Sequence, residues 1–147
     1  MQLSPHFTLE AMTASAVARR RGIDNTPSPA IIDQLTNTAL HMEMVRSLLG
    51  DRPILVSSGY RCAELNRVIG GASNSAHLYG TAVDFTCPSF GAPIDVARFL
   101  SKQALQFDQL IYEFTDWCHI SFDIRARHQC LTIFNAVQGY LPGIVDG

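Results

Sequence analysis

Two histidines and one aspartate have the residue types and spacing of a metal site. His77 and Asp84 lie seven residues apart, on either side of Gly80. A turn at that glycine, followed by a strand that begins near Ala82, can bring the imidazole and the carboxylate back to one point. Asp84 lies in an otherwise apolar run, where a carboxylate without a cation would be costly to bury. The segment therefore predicts two ligands of a metal ion.

A second imidazole comes from a segment in which polar and apolar side chains alternate. In a strand over Trp117–Phe122, alternation places His119 on one face and Cys118 on the opposite, apolar face. Two histidines and one carboxylate leave an open coordination position for water, and catalytic zinc uses this arrangement to lower the pKa of the water to about 7. We therefore predict one zinc ion per chain, bound by His77, Asp84 and His119.

The reaction also needs a group that accepts and returns a proton. Asp116 lies three residues before His119, within reach of a water on the metal, and we predict it as the general base and later the acid. Glu113, on the preceding strand, is the reserve candidate. Taken singly, each of these residues also has a structural explanation, such as a capping carboxylate or a core histidine. Their combination favours a functional site.

The elements that must position these residues follow from the hydrophobic spacing. It predicts one helix over 8–21, a long helix from Pro29 to Gly50 with Ser28 as its cap, a short helix that ends near Gly70, and a helix over about 93–104. Strands are predicted over 53–57, 82–86, 109–114, 117–122 and 129–134. Helices first and strands mostly later indicate an α+β fold, an antiparallel sheet backed by helices, in a single domain over 1–147.

Composition argues against several classes of protein. The 147 residues are 47% hydrophobic and carry a formal net charge of -2, so they offer no basic field for a nucleic acid. The run Arg19–Arg21 is interpreted as the solvated end of a helix. We find neither an apolar stretch of membrane length nor a leader pattern, and we expect a monomer that is cytoplasmic as made and contacts no membrane. The four cysteines lack CxxC spacing, which favours free thiols, with a single disulfide left open.

Two motifs carry a family resemblance. The segment Ser75–Asp84 fits the pattern SxHxxGxAxD in full, and Trp117–His119 fits a WxH that follows it. The chain thereby resembles the zinc D-alanyl-D-alanine carboxypeptidase family, which includes D,D-carboxypeptidases, D,D-dipeptidases and phage L-alanyl-D-glutamate endopeptidases and shares its fold with the hedgehog signalling domain. Further matches are Ser58–Arg61, Asn66 and Asp108–Ile111, so the resemblance extends from about residue 7 to residue 122. It implies a hedgehog/D,D-peptidase-like fold and a metallopeptidase that cleaves the peptides of peptidoglycan.

The resemblance also implies roles for residues around the metal. Arg61 would face the substrate and either stabilise the oxyanion of the tetrahedral intermediate or pair with a terminal carboxylate. Ser75 would hydrogen-bond the bound peptide. Asp116 would take the place of the catalytic acid, although many relatives carry glutamate there, which is why Glu113 is kept as the reserve.

Other functions remain open at this stage. A non-haem iron oxygenase also uses two histidines and one carboxylate, and a binding module could keep the zinc after losing turnover. Within the peptidase interpretation, the choice between a D,D and an L,D bond depends on pocket shape rather than on the metal motif. The absence of a leader pattern suits a phage or prophage endolysin released by the phage lysis machinery, and it also suits a bacterial cytosolic dipeptidase.

Overall fold

The structure, a computed structural model, describes residues 1–147. Its helices are α1 (Leu9–Thr13), α2 (Ala16–Arg21), α3 (Pro29–Leu48), α4 (Ala63–Ile69) and α5 (Pro93–Ser101), with a 3₁₀ helix over Ala76–Tyr79. Its strands are β1 (Gln2–Ser4), β2 (Phe7–Thr8), β3 (Leu55–Ser58), β4 (Ala82–Thr86), β5 (Gln109–Glu113), β6 (Trp117–Ser121), β7 (Gln129–Ile133) and β8 (Tyr140–Pro142). None of the helices combines the length and the apolar character that crossing a membrane requires.

The strands form a small β1–β2 sheet and a six-stranded sheet with the order β3-β4-β6-β5-β7-β8. The predicted mixture of helices and sheet is confirmed. The expectation of a wholly antiparallel sheet is wrong for one pair, since β7 runs parallel to β5. The reason lies in the connection over 122–128. Gln109 pairs with Ser121 on one side and with Gln129 on the other, so the chain crosses the start of β5 and then follows it in the same direction.

The hydrophobic core lies between one face of the six-stranded sheet and the helices α3 and α5. It contains twenty buried residues. The hydrophobic spacing that predicted α3 forms one buried stripe, because Leu35, Thr38, Met42 and Val45 and the C-cap Leu49 are buried and Ile31 is half-buried. Each fully buried aliphatic side chain contributes about 1.5–3 kcal/mol, so this stripe fixes α3 against the sheet. The opposite face of β4, β5 and β6 is left for polar side chains.

The predicted helix over 8–21 is instead two short helices, α1 and α2. Ala14 is extended, with ψ 138°, and the Ser15 side chain accepts a hydrogen bond from the backbone N–H of Ala18. Serine caps a new helix in this way more readily than it continues an old one. The break leaves the carbonyl of Thr13 free to accept a hydrogen bond from Asn25 at 2.9 Å. Arg19–Arg21 form the last turn of α2 before Gly22, as predicted.

The thiols agree with the simpler interpretation of the sequence. All four cysteines are free, at positions 62, 87, 118 and 130. Cys118 is fully buried in the core, on the face of β6 opposite His119, as the alternation predicted.

Asp108 holds the ends of three strands together. Its carboxylate is almost completely buried and accepts hydrogen bonds from the backbone N–H, Nε and Nη2 of Arg127, at 3.2, 2.8 and 3.0 Å. The Asp108 backbone pairs with Ser121 and Gln129. The hydrogen bonds from Arg127 lower the pKa of Asp108 and outweigh its burial. Asp108 therefore connects the 122–128 segment to β5.

We predict that Asp108→Asn lowers the free energy of unfolding by about 1.5–3 kcal/mol, the usual contribution of hydrogen bonds to a charged group. Because the pKa of Asp108 is lowered in the folded state, its contribution is present above the unfolded pKa and is lost as the pH falls through the folded value. The difference between wild type and variant in urea denaturation should therefore be constant near neutral pH and shrink in acid. Asp123→Asn, which alters the more exposed partner of Arg125, is the control, and an equal loss in both variants would contradict the assignment.

Candidate metal centre and peptidase site

His77 is held by a capped 3₁₀ turn. The Ser75 side chain accepts a hydrogen bond from the backbone N–H of His77 at 3.3 Å. Gly80 ends the turn with φ 73°, a conformation that favours glycine, and a Cβ there would lie 3.3 Å from Leu35. Strand β4 begins two residues later. This is the loop, turn and strand that the sequence predicted between His77 and Asp84.

Asp84 and His119 are direct partners in the antiparallel pairing of β4 and β6. Paired residues project to the same face of a sheet, so the regular strand pairing by itself places the Asp84 carboxylate beside the His119 imidazole. Asp84 Oδ1 lies 2.9 Å from His119 Nδ1 and 3.2 Å from His77 Nε2. One ligand atom from each of the three residues lies within 4.8 Å of the others, and all three residues are buried.

The hydrogen bond at Nδ1 of His77 favours a cation in this cluster. Its Nδ1 lies 2.6 Å from the backbone carbonyl of Gly59, which can only accept, so Nδ1 carries the hydrogen. In the neutral ring Nε2 then presents a lone pair to Asp84 Oδ1. Two acceptors at this distance repel each other unless a proton or a metal ion lies between them. Ligands of a tetrahedral zinc ion, with bonds near 2.0–2.1 Å, lie about 3.3 Å apart, close to the distances found here.

The position of the Gly59 carbonyl is itself determined by close packing against α1. A Cβ on Gly59 would lie 2.2 Å from the backbone oxygen of Met12, so no other residue fits there. The next residue, Tyr60, donates its backbone N–H to the same Met12 oxygen at 2.8 Å. The α1 segment thus fixes the group that orients His77.

Electrostatics within the cluster favour an ionised aspartate. Burial by itself would raise the pKa of Asp84, but the charges and hydrogen bonds of His77 and His119 lower it overall. For His119 the effects have the opposite sign. Burial by itself would lower the pKa of the imidazole, but the hydrogen bond to Asp84 and the charge of Asp84 raise it overall. The arrangement gathers a negative charge and two nitrogen donors, which is a suitable ligand set for zinc.

The structure separates the two candidates for the general base. Glu113, at the end of β5, has Oε1 4.0 Å from His119 Nδ1, and its side chain is 14% exposed. Burial raises its pKa. Asp116 is exposed in the turn between β5 and β6, and its side chain makes no hydrogen bond or ion pair. The geometry therefore favours the reserve candidate over the residue preferred from the sequence.

Strand pairing explains why distance along the sequence and distance in the structure favour different carboxylates as the base. Ile111 pairs with His119, and Glu113 pairs with Trp117. Glu113 is two residues along β5 from Ile111 and so projects to the same face as His119. Applying the same alternation to both strands of the predicted hairpin would have identified Glu113.

Arg61 and Ser75 lie together at the edge of the cluster. Arg61 Nη2 donates to Ser75 Oγ at 3.3 Å, while Arg61 Nε is buried and has no hydrogen-bond partner. Burial lowers the pKa of Arg61, and the charges of Asp84 and Glu113 oppose that effect. The guanidinium is thus partly desolvated and keeps unused donor capacity next to the metal ligands.

A cavity of about 350 Å³ opens beside these groups. Arg61, Asp84 and Trp117 contribute to its lining, and the opposite wall is made of small and apolar side chains from the α1–α2 junction and α4. A cavity of this size admits a short segment of peptide. The cavity thus brings one metal-ligand candidate, Asp84, and the guanidinium of Arg61 to a common wall, and metal-assisted amide hydrolysis uses groups of both kinds.

Comparison with known proteins gives one partial relative. A zinc D-Ala-D-Ala carboxypeptidase from Streptomyces albus G is 43% identical over 54 residues, which are 37% of this chain and 21% of that protein. The chain therefore matches only about a fifth of the length of this relative.

A family model described as Peptidase M15 matches residues 5–121. The matched range includes the three metal-ligand candidates together with Arg61, Ser75 and both carboxylates considered as the base. The family predicted from the two sequence motifs is confirmed: the chain belongs to the Peptidase M15 family.

Proposed function

We propose that this protein is a zinc peptidase that hydrolyses peptide bonds in the stem peptides of peptidoglycan. The observation that carries the proposal is the convergence of His77, Asp84 and His119, with Glu113 Oε1 4.0 Å from the His119 imidazole. The similarity to a zinc D-Ala-D-Ala carboxypeptidase supports both the metal and the substrate. The proposal includes a hedgehog/D,D-peptidase-like fold, which the sheet backed by helices supports.

The ligand set would hold one zinc ion, which when bound lowers the pKa of a water to about 7 and polarises a carbonyl. Glu113 accepts the proton of the attacking water and delivers it to the nitrogen of the leaving amine. Its low exposure and raised pKa suit a group that must exist in both protonation states.

Arg61 contributes charge stabilisation from the side of the cavity. Its Nε has no partner within the protein and can donate to the developing oxyanion or to a terminal carboxylate of the substrate. Ser75 Oγ accepts from both Arg61 and the backbone of His77, so its own hydroxyl hydrogen is available to a peptide carbonyl. These two residues would orient the substrate.

The bond that is cut is either a D,D bond at the end of the stem peptide or an L,D bond within it. Mass spectrometry of fragments from digested peptidoglycan would assign the bond, since each cleavage leaves a different terminus. An endolysin role follows only if the L,D bond is cut in intact walls.

The metal assignment predicts the zinc content of variants. Wild type should bind one zinc ion per chain, and Asp84→Asn or His119→Gln should weaken zinc binding by more than about a hundredfold, since even outer-shell changes cost 10–100-fold. Metal analysis after dialysis and competition with a chromogenic chelator would measure this. His41→Gln is the matched control, because His41 stacks on Phe122 outside the cluster. Undiminished binding in Asp84→Asn would exclude the site.

The assignment of the base predicts a difference between two carboxylates. Glu113→Gln should lower the rate of peptidoglycan hydrolysis by about 10²–10⁴-fold, the usual contribution of a general base, with zinc content unchanged. Asp116→Asn should retain activity, because that side chain is exposed in the turn. Release of amino groups from purified peptidoglycan measures both. The reverse pattern would restore Asp116 as the base, and inactivity of the zinc-loaded wild type would favour a binding module.

A further inference from the structure

The single tryptophan of the chain holds the carboxylate proposed as the base. Trp117 Nε1 donates to Glu113 Oε1 at 2.8 Å. The two residues are direct partners across the β5–β6 hairpin, so backbone pairing sets their separation. Trp117 also borders the cavity together with Arg61 and Asp84. The contact thus lies at the reaction site.

The turn between Glu113 and Trp117 has a constrained backbone, which helps to maintain the hydrogen bond between the two side chains. Phe114 and Thr115 both have positive φ, 55° and 63°, which residues other than glycine rarely adopt. The backbone N–H of Phe114 donates to the carbonyl of Ile133 in β7 at 2.7 Å, so the turn is tied to the neighbouring strand through its backbone. Strained backbone of this kind persists where the surroundings fix it and is concentrated at functional sites.

The chemistry of the indole determines what the hydrogen bond does. Indole Nε1–H is a donor and has no acceptor atom, so the hydrogen bond engages one lone pair of Glu113 Oε1 and fixes the orientation of the carboxylate. The remaining lone pairs of the carboxylate stay available to accept a proton. A free glutamate side chain would instead rotate and present either oxygen.

We propose that Trp117 is a positioning residue that holds Oε1 of Glu113 and thereby orients the carboxylate for proton transfer. This inference rests on the proposed role of Glu113. In the reaction the oxygen of water bonds to the scissile carbonyl carbon while one of its O–H bonds breaks and an O–H bond forms at the Glu113 carboxylate. The same proton then passes to the nitrogen of the leaving amine as the C–N bond breaks, which regenerates the carboxylate. The indole N–H keeps its proton throughout.

Because the chain contains one tryptophan, the hydrogen bond can be removed without a conventional mutation. Expression in a tryptophan auxotroph supplied with benzothienylalanine replaces the indole N–H with sulfur at position 117 only and preserves the shape of the ring. With a stem pentapeptide as substrate, kcat should fall about ten- to a hundredfold, the loss expected for one hydrogen bond to a charged group. KM and zinc content should be unchanged. An unchanged kcat would overturn the proposal.

Two further variants distinguish positioning from general packing. Phe114→Leu removes the ring that lies 5.5 Å from that of Trp117 but leaves both the indole donor and the backbone hydrogen bond of the turn. This variant should keep the wild-type kcat, and an equal loss there would assign the effect to packing of the hairpin. Trp117→Phe provides a genetic version of the same deletion. In a Glu113→Gln background, Trp117→Phe should cause no further loss, since the two side chains act as one unit. If Glu113→Gln itself is fully active, the role of Glu113 fails, a result distinct from failure of the tryptophan contact alone.

Discussion

The site depends on one buried carboxylate placed between two imidazoles. Asp84 is 6% exposed, and a single oxygen, Oδ1, faces both His77 and His119. An isolated charge at such a position would be expensive, so the arrangement is stable only with compensating positive charge from protons or a metal ion. The ligands come together only in the folded chain, through the pairing of β4 with β6 and the 3₁₀ turn that holds His77, so metal binding at this site would be coupled to folding.

One face of the sheet packs in the hydrophobic core, and the opposite face carries the site residues. Odd-numbered residues of β5 and β6 project toward the cavity side, and their even-numbered neighbours Leu110, Tyr112, Cys118 and Ile120 lie in the core. The core face anchors the strands against α3 and α5, so the ligand-bearing face does not have to contribute packing. This explains how several polar side chains can lie together on one surface without weakening the fold.

Much of the site could be predicted from the sequence because its ligands lie on regular elements. The glycine turn before β4 and the alternation in β6 were enough to identify His77, Asp84 and His119. The choice between Asp116 and Glu113 required the pairing of β5 with β6, and distance along the chain gave the opposite preference. The orientation of His77 depends on the close contact of Gly59 with Met12. This contact joins residues far apart in the chain, so a local sequence pattern cannot predict it.

The fold followed local signals closely where those signals were strong and departed from them where tertiary contacts intervened. Ser28 and Pro29 begin α3 as predicted, and β4 has the predicted bounds. We did not predict the break at Ser15 or the strands β1, β2 and β8. Helix α2, which follows the break, and these three strands are two to six residues long, which is too short to show a hydrophobic period. The parallel pairing of β7 with β5 is accompanied by the ion pair of Asp108 with Arg127, a long-range contact that a local pattern does not predict.

Strands β7 and β8 have a consequence for the behaviour of the sheet in solution. Both strands lie beyond the residues matched by the family model. Strand β7 pairs with β5, and β8 pairs with β7, so β5 is an interior strand of the sheet. The outer boundary is shifted to β8, which is three residues long and ends in Pro142. A short border strand that contains proline offers few free backbone groups to another chain. The strand that carries Glu113 is thereby protected from intermolecular β-pairing and aggregation.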